Sequence, residues 1–309
     1  MRPYDLAIRH AQALLAAGNG AGAIEPLRDA LTAAPAEALP HLLLARALRL
    51  ERRLAGARYE AERAIEANPL WALAHVELAQ ILLLQQHGKA ALVAVDKAIA
   101  LDPDDAHGHL VRAKLLRIQG RRADAQLSLA AALALEPAAP DVIAEKGYAA
   151  LEQNQSDIVD EAGRAILSLS PSNTDGLILI GHAQLARGET DEALRLALAA
   201  LARSPTDVDA LHLLASAKMR KNPIGGLWWR WNRLLVRLGQ ARAIFFVVGL
   251  WVIYRWLVLA SHDWGLPPVT EAVLTALYFA FVIYTISASV IVSRMIEKEV
   301  ARVRLNPNF

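Results

Sequence analysis

Residues 72–105 read ALAHVELAQILLLQQHGKAALVAVDKAIALDPDD, an apolar stretch, a polar break at Gln85-Gln86-His87-Gly88, a second apolar stretch, and a closing proline at Pro103. The same layout recurs along the chain. Prolines stand at Pro35, Pro69, Pro103, Pro137, Pro171 and Pro205, and every successive difference is 34 residues. A fixed period of this length marks a solenoid, whose units bury their apolar faces only against their neighbours. When each unit is counted from thirty-one residues before its proline, other columns keep the same ruler. The eighth position reads Ala11, Ala45, Ala79, Ala113, Gly147 and Gly181; the twentieth reads Ala23, Ala57, Ala91, Ala125, Val159 and Ala193. The twenty-seventh reads Ala30, Ala64, Ala98, Ala132, Ile166 and Ala200. Small side chains at fixed positions are contact points between closely packed helices, and Ala and Leu, which dominate the apolar 55% of the chain, are good helix formers.

The period, the small residues in these three columns and the closing proline resemble the tetratricopeptide repeat. The resemblance covers residues 4 to 221. It implies an all-α, right-handed helical solenoid of about six helix-turn-helix units, with Gly18, Gly120 and Gly188 at the turn between the two helices of their units. Val208 to Arg220 is expected to be a capping helix. Two features depart from the family pattern. His41, His75 and His109 replace the large aromatic usual at the fourth position, and Gly163 stands where a bulky apolar residue is usual, which predicts a distorted fifth unit.

The composition excludes several kinds of chemistry. There is no Cys among the 309 residues, so disulfides and thiolate sites are out. The three histidines in register lie on stacked units roughly 10 Å apart, too far to converge on one metal ion. No Gly-rich phosphate loop, His-Glu-x-x-His motif or nucleophile with an orienting base is visible, so neither enzyme activity nor a cofactor or metal is expected, and no nucleic-acid partner. The ninth column carries more information: Gln12, Arg46, Gln80, Lys114, Tyr148, His182 and Ser216, polar in every unit amid apolar neighbours. In the family that column lines the concave groove. Arg49 and Arg117 lie one turn from Arg46 and Lys114, on the same helix face. The resemblance therefore implies a basic groove for a protein or peptide ligand with acidic groups, held by charge-assisted hydrogen bonds. The asparagines of the family's chaperone-binding clamp are missing, so that ligand is not implied.

Beyond Asn222-Pro223-Ile224-Gly225-Gly226 the composition changes. Residues 243–261 (AIFFVVGLWVIYRWLVLAS) and 272–292 (AVLTALYFAFVIYTISASVIV) read as two transmembrane helices joined by a short turn, with Arg255 the one charge inside a span. Between residues 222 and 242 a basic, Trp-rich helix is expected to lie on anionic headgroups through Trp228, Trp229, Arg230, Trp231, Arg233, Arg237 and Arg242. Lys and Arg on both flanks, including the tail 294–309, place both termini in the cytoplasm of a bacterial inner membrane. The reading is thus a membrane-anchored adaptor whose groove holds a cytoplasmic partner. Its rival is a subunit or assembly factor of a membrane complex in secretion, envelope biogenesis or transport, within an oligomer or larger assembly.

Overall fold

The computed structural model describes residues 3–205, 207–221, 249, 251–260, 264, 267, 269–270, 272–279 and 294. Its helices are α1 (Pro3–Ala16), α2 (Gly20–Ala33), α3 (Ala38–Leu50), α4 (Leu54–Ala67), α5 (Ala72–Leu84), α6 (Gly88–Leu101) and α7 (Ala106–Ile118). They continue with α8 (Arg122–Leu135), α9 (Pro140–Glu152), α10 (Ser156–Leu169), α11 (Thr174–Arg187), α12 (Thr190–Arg203) and α13 (Val208–Lys221). Six helical hairpins and a final helix fill the stretch that the proline ruler marks out.

The boundaries follow from local chemistry. Within each hairpin the first helix ends on a residue in the left-handed region, and the next N–H bonds five residues back: Asn19 to Leu14, Arg53 to Leu48, His87 to Leu82, Arg121 to Leu116, Gln155 to Ala150 and Glu189 to Gln184, at 2.8–3.0 Å. This is the Schellman closure, which satisfies carbonyls that the helix end would otherwise leave without donors. The left-handed residues are Gly18, Arg52, Gln86, Gly120, Asn154 and Gly188, again 34 apart. Sequence reading recognised only the three glycines; Arg52 (φ 58°), Gln86 (φ 63°) and Asn154 (φ 56°) are driven into the same conformation by the repeat. The second helix of each hairpin stops at a residue of non-helical backbone just before the proline, where the proline ring disfavours helical geometry.

The histidines in the aromatic column have a definite task. The Nε2 atoms of His41, His75 and His109 each bond the carbonyl of the proline six residues earlier, Pro35, Pro69 and Pro103, at 3.1, 3.0 and 2.9 Å. Each ring therefore fastens the turn between two repeats to the start of the next helix.

The chain divides into two compact units, Met1–Ala149 and Ala150–Phe309. In the first, the hairpins α1–α2, α3–α4, α5–α6 and α7–α8 stack in order, with α1, α3, α5 and α7 forming one layer and the second helices the other. The small-residue columns are its packing points: Ala11, Ala45, Ala79, Ala23, Ala57, Ala91, Ala30 and Ala64 are fully buried. In the second unit α10 packs on α11, and α12 and α13 pack on α11 in turn. Helix α10 is continuous, and at Gly163 it packs tightly on α11: a Cβ there would lie 2.7 Å from Ile180 Cγ1 and 3.0 Å from the Gly176 carbonyl oxygen.

The expected transmembrane hairpin is corrected. Among the described residues no helix is long and apolar enough to cross a membrane. Within the two stretches read as spans, the continuous described helical runs are residues 251–260 and 272–279. Apolar composition over a window was the basis of that expectation, and it does not fix helix length. Tyr254 stacks on Tyr278 at 4.2 Å and donates its hydroxyl to Thr275 Oγ1 at 3.3 Å, so the two runs face each other through aromatic and polar groups. With the hairpin goes the localisation built on it, an integral protein of the bacterial inner membrane with both termini cytoplasmic. The interfacial helix expected over 222–242, including Trp228, Trp229, Arg230, Trp231, Arg233, Arg237 and Arg242, lies outside the described residues, as does most of the 294–309 tail.

Candidate partner-binding face

The first-helix layer of unit 1 carries most of the polar residues singled out from the sequence. Their charges are not bare. Glu77, with a side chain only 1% exposed, receives Arg49 Nε on Oε1 at 2.5 Å and Arg49 Nη2 on Oε2 at 3.5 Å, and Arg46 Nε shares Oε2 at 3.4 Å. Two repeats further on, Arg117 Nε meets Glu145 Oε1 at 2.6 Å and Arg117 Nη2 meets Oε2 at 3.3 Å, the Glu145 side chain being 2% exposed. A guanidinium presenting two parallel N–H groups to one carboxylate is the geometry that makes such pairs directional. Each acid sits at the sixth position of its repeat and each clamping arginine at the twelfth of the repeat before. The stations are thus copies displaced by 68 residues: Arg46, Arg49 and Glu77, then Lys114, Arg117 and Glu145. Each sums to one positive formal charge.

Between the stations Gln80 is held by its neighbour. Its amide Nε2 lies 2.9 Å from His107 Nε2, and since an amide nitrogen can only donate, that ring nitrogen accepts. A neutral ring is consistent with the surroundings. Burial pushes the His107 pKa down, helped by Lys114 and Arg46 and opposed by Asp105 and Asp141. Tyr148 receives the Arg117 guanidinium over its ring at 6.0 Å. Gln12 is exposed at the start of the layer. His182 belongs to the second unit, where burial first, and then the charge of His212, pushes its pKa down to about 4.

Beside Arg46 and Gln12 the layer opens into a cavity of about 400 Å³. Leu39, Leu42 and Leu43 of α3, Leu15 of α1, and Trp71 and Leu73 at the start of α5 form its walls. Sequence reading missed both this cavity and the buried acids. Trp71 lies in the turn that precedes α5, outside the helical columns. Glu77 was legible in principle: it is the single acid in the otherwise apolar helix ALAHVELAQILLL, and an isolated acid in such a helix requires a cation to accompany it inside.

Stacked helical hairpins with a polar-rimmed apolar cavity on their first-helix layer define an all-α repeat solenoid. Residues 8–69 and 178–222 match the family model of the tetratricopeptide repeat. Solved structures agree on the fold. A chain of the APC/C hetero-tetramer Cut9–Hcn1 superposes with a TM-score of 0.63 at 18% identity, over 72% of this chain and 44% of that one. PilW, a widely conserved type IV pilus biogenesis factor, gives 0.54 at 19% identity, over 69% of this chain and 99% of its own. Pseudomonas aeruginosa PilF gives 0.51 at 20% identity, over 69% and 97%. This chain therefore spans less than half the length of the chain it matches in the Cut9–Hcn1 assembly. No curated protein matches the sequence.

Proposed function

We propose that this chain is a non-enzymatic scaffold that holds a protein partner through an extended acidic segment laid along the α1, α3, α5 and α7 layer. The observation that carries the reading is the pairing of an apolar cavity, walled by Leu39, Leu42 and Trp71, with the half-exposed Arg46 at its edge. An apolar side chain entering that cavity would gain burial, while Arg46 supplies the cation for an adjacent carboxylate. Lys114, 68 residues on, offers the second charge. First helices of successive repeats lie about 10 Å apart, so the two cations are roughly 20 Å apart, about six residues of extended peptide.

The test separates the partner-facing cations from those that hold the fold. Arg49 and Arg117 clamp buried carboxylates, so replacing them would disrupt the stack as well as any ligand. Peptides selected on the full chain from a randomised display library should carry acidic residues about six apart near an apolar residue. The Arg46→Gln, Lys114→Gln double variant should bind them at least about tenfold more weakly, as befits the loss of charge-assisted contacts. Peptides with no acidic bias, or an unchanged affinity in the folded double variant, would refute the reading.

A further inference from the structure

Between Arg46 and Lys114 the ninth column holds Gln80, one repeat from each. Both cations are donors only, so an extended segment laid along them finds partners there for its carboxylates and its backbone carbonyls, and none for its N–H groups. A backbone N–H that leaves water without gaining an acceptor costs about as much as a lost hydrogen bond. The neighbouring carboxylates are already occupied, since Glu77 and Glu145 are buried and take the guanidinium groups of Arg49 and Arg117. Gln80 is different. It is partly exposed, and its one hydrogen bond among the described residues runs from Nε2 to His107 Nε2 at 2.9 Å. The ring takes the donor end of the amide and leaves the carbonyl oxygen, Oε1, open to solvent with no donor of the protein on it. The ring itself is fixed from below: Asp105 accepts from the backbone N–H groups of His107 and Gly108 at 3.1 Å each, which sets the start of α7.

We infer that Gln80 Oε1 accepts a backbone N–H of the bound segment midway between its two carboxylates, with His107 as the positioning residue that fixes which end of the amide faces the segment. This rests on the reading of the first-helix layer as the seat of an extended acidic segment, and it adds a register to that reading. Rungs about 10 Å apart correspond to about three extended residues, so the N–H belongs to a residue about three positions from each acid. A contact to the main chain is blind to the side chain of the residue that supplies it. The segment is therefore specified at its acidic ends and held at its centre without regard to sequence. A lysine or arginine is disfavoured at that centre, because Arg46 and Lys114 flank it with like charge.

The probes are the tightest peptide from the display selection and a series of analogues in which each backbone amide in turn is replaced by an ester, which removes one N–H at nearly constant shape. Titrated against the full chain, the ester midway between the two acids should bind about fivefold more weakly than the parent, and those on either side of it less than about twofold, as expected for one neutral hydrogen bond. In the Gln80→Met variant that central ester and the parent peptide should bind equally. A long-range ¹H–¹⁵N spectrum of the unaltered chain at neutral pH should show His107 Nε2 without a proton. A central ester that binds as tightly as the parent, a penalty that persists in folded Gln80→Met, or a protonated Nε2 would each overturn the inference. The ester series and the spectrum decide it even if Gln80→Met does not fold. Ester-insensitive peptides that still need Arg46 and Lys114 would remove this inference alone, whereas peptides without acidic residues would remove the underlying reading as well.

Discussion

The two units solve one packing problem in opposite ways. Where a first helix meets the first helix of the next repeat, unit 1 places Arg49 on Glu77 and Arg117 on Glu145, and the interface between those two carries Leu83 and Val111 in the same columns. In unit 2 the twelfth and sixth positions are Leu185 and Leu213, both buried in one apolar cluster. Burial of leucine holds a stack without direction, whereas a fork of N–H groups on a carboxylate fixes register and leaves charge at the surface. Where the columns are ionic, the layer keeps cations at its surface; where they are leucine, the same positions are buried apolar groups.

The largest effect should come from breaking one ionic station. Glu77→Gln leaves two guanidinium groups around a buried neutral amide and should cost about 3–5 kcal/mol by urea unfolding. Copying the choice of unit 2 with Arg49→Leu and Glu77→Leu together should restore stability to within about 1 kcal/mol of the parent. If the single and double variants are equally unstable, the contrast between the two units is wrong.

Acid should act on the second unit through His182. Its folded pKa of about 4 lies below the ordinary 6.5, so the unfolded chain binds the extra proton first. Stability is then intact above pH 6.5 and lost as pH falls toward 4, by roughly 3 kcal/mol in all, with no further loss from this group below that. His182→Gln should flatten that part of the pH profile, and a histidine titration followed by NMR reads the pKa directly.

Two smaller changes sharpen the comparison. Gly163→Ala would push a methyl against the Gly176 carbonyl and Ile180 and should cost roughly 1–3 kcal/mol in thermal unfolding, because backbone atoms cannot step aside. Arg52→Gly should instead stabilise unit 1 by about 1 kcal/mol, since it places glycine where Gly188 already stands in unit 2 and removes a left-handed side-chain clash.

Much of this architecture was legible because a period leaves its mark at every turn: six prolines, three columns of small residues and the helix-closing glycines all fall on one ruler. The helices and their pairing follow from that alone. The polar face of the first-helix layer was half legible. Its polar column could be read as one row, but the buried acids answer to arginines 28 residues away, and pairs across a repeat do not show when each column is read by itself. Trp71 was hidden for a simpler reason, since turn residues belong to no helical face. The apolar stretches after residue 242 misled, because hydropathy over a window reports composition and leaves helix length open.

The most direct measurement places a photo-crosslinking amino acid in turn at positions 12, 46, 80 and 114, and at position 182 of unit 2 as a control, in the full chain mixed with a selected acidic peptide. The account predicts crosslinks at 46 and 114 to peptide sites next to Asp or Glu about six residues apart, and none at 182. Crosslinks confined to 182, or absent from all four unit 1 positions while the peptide remains bound, would contradict it.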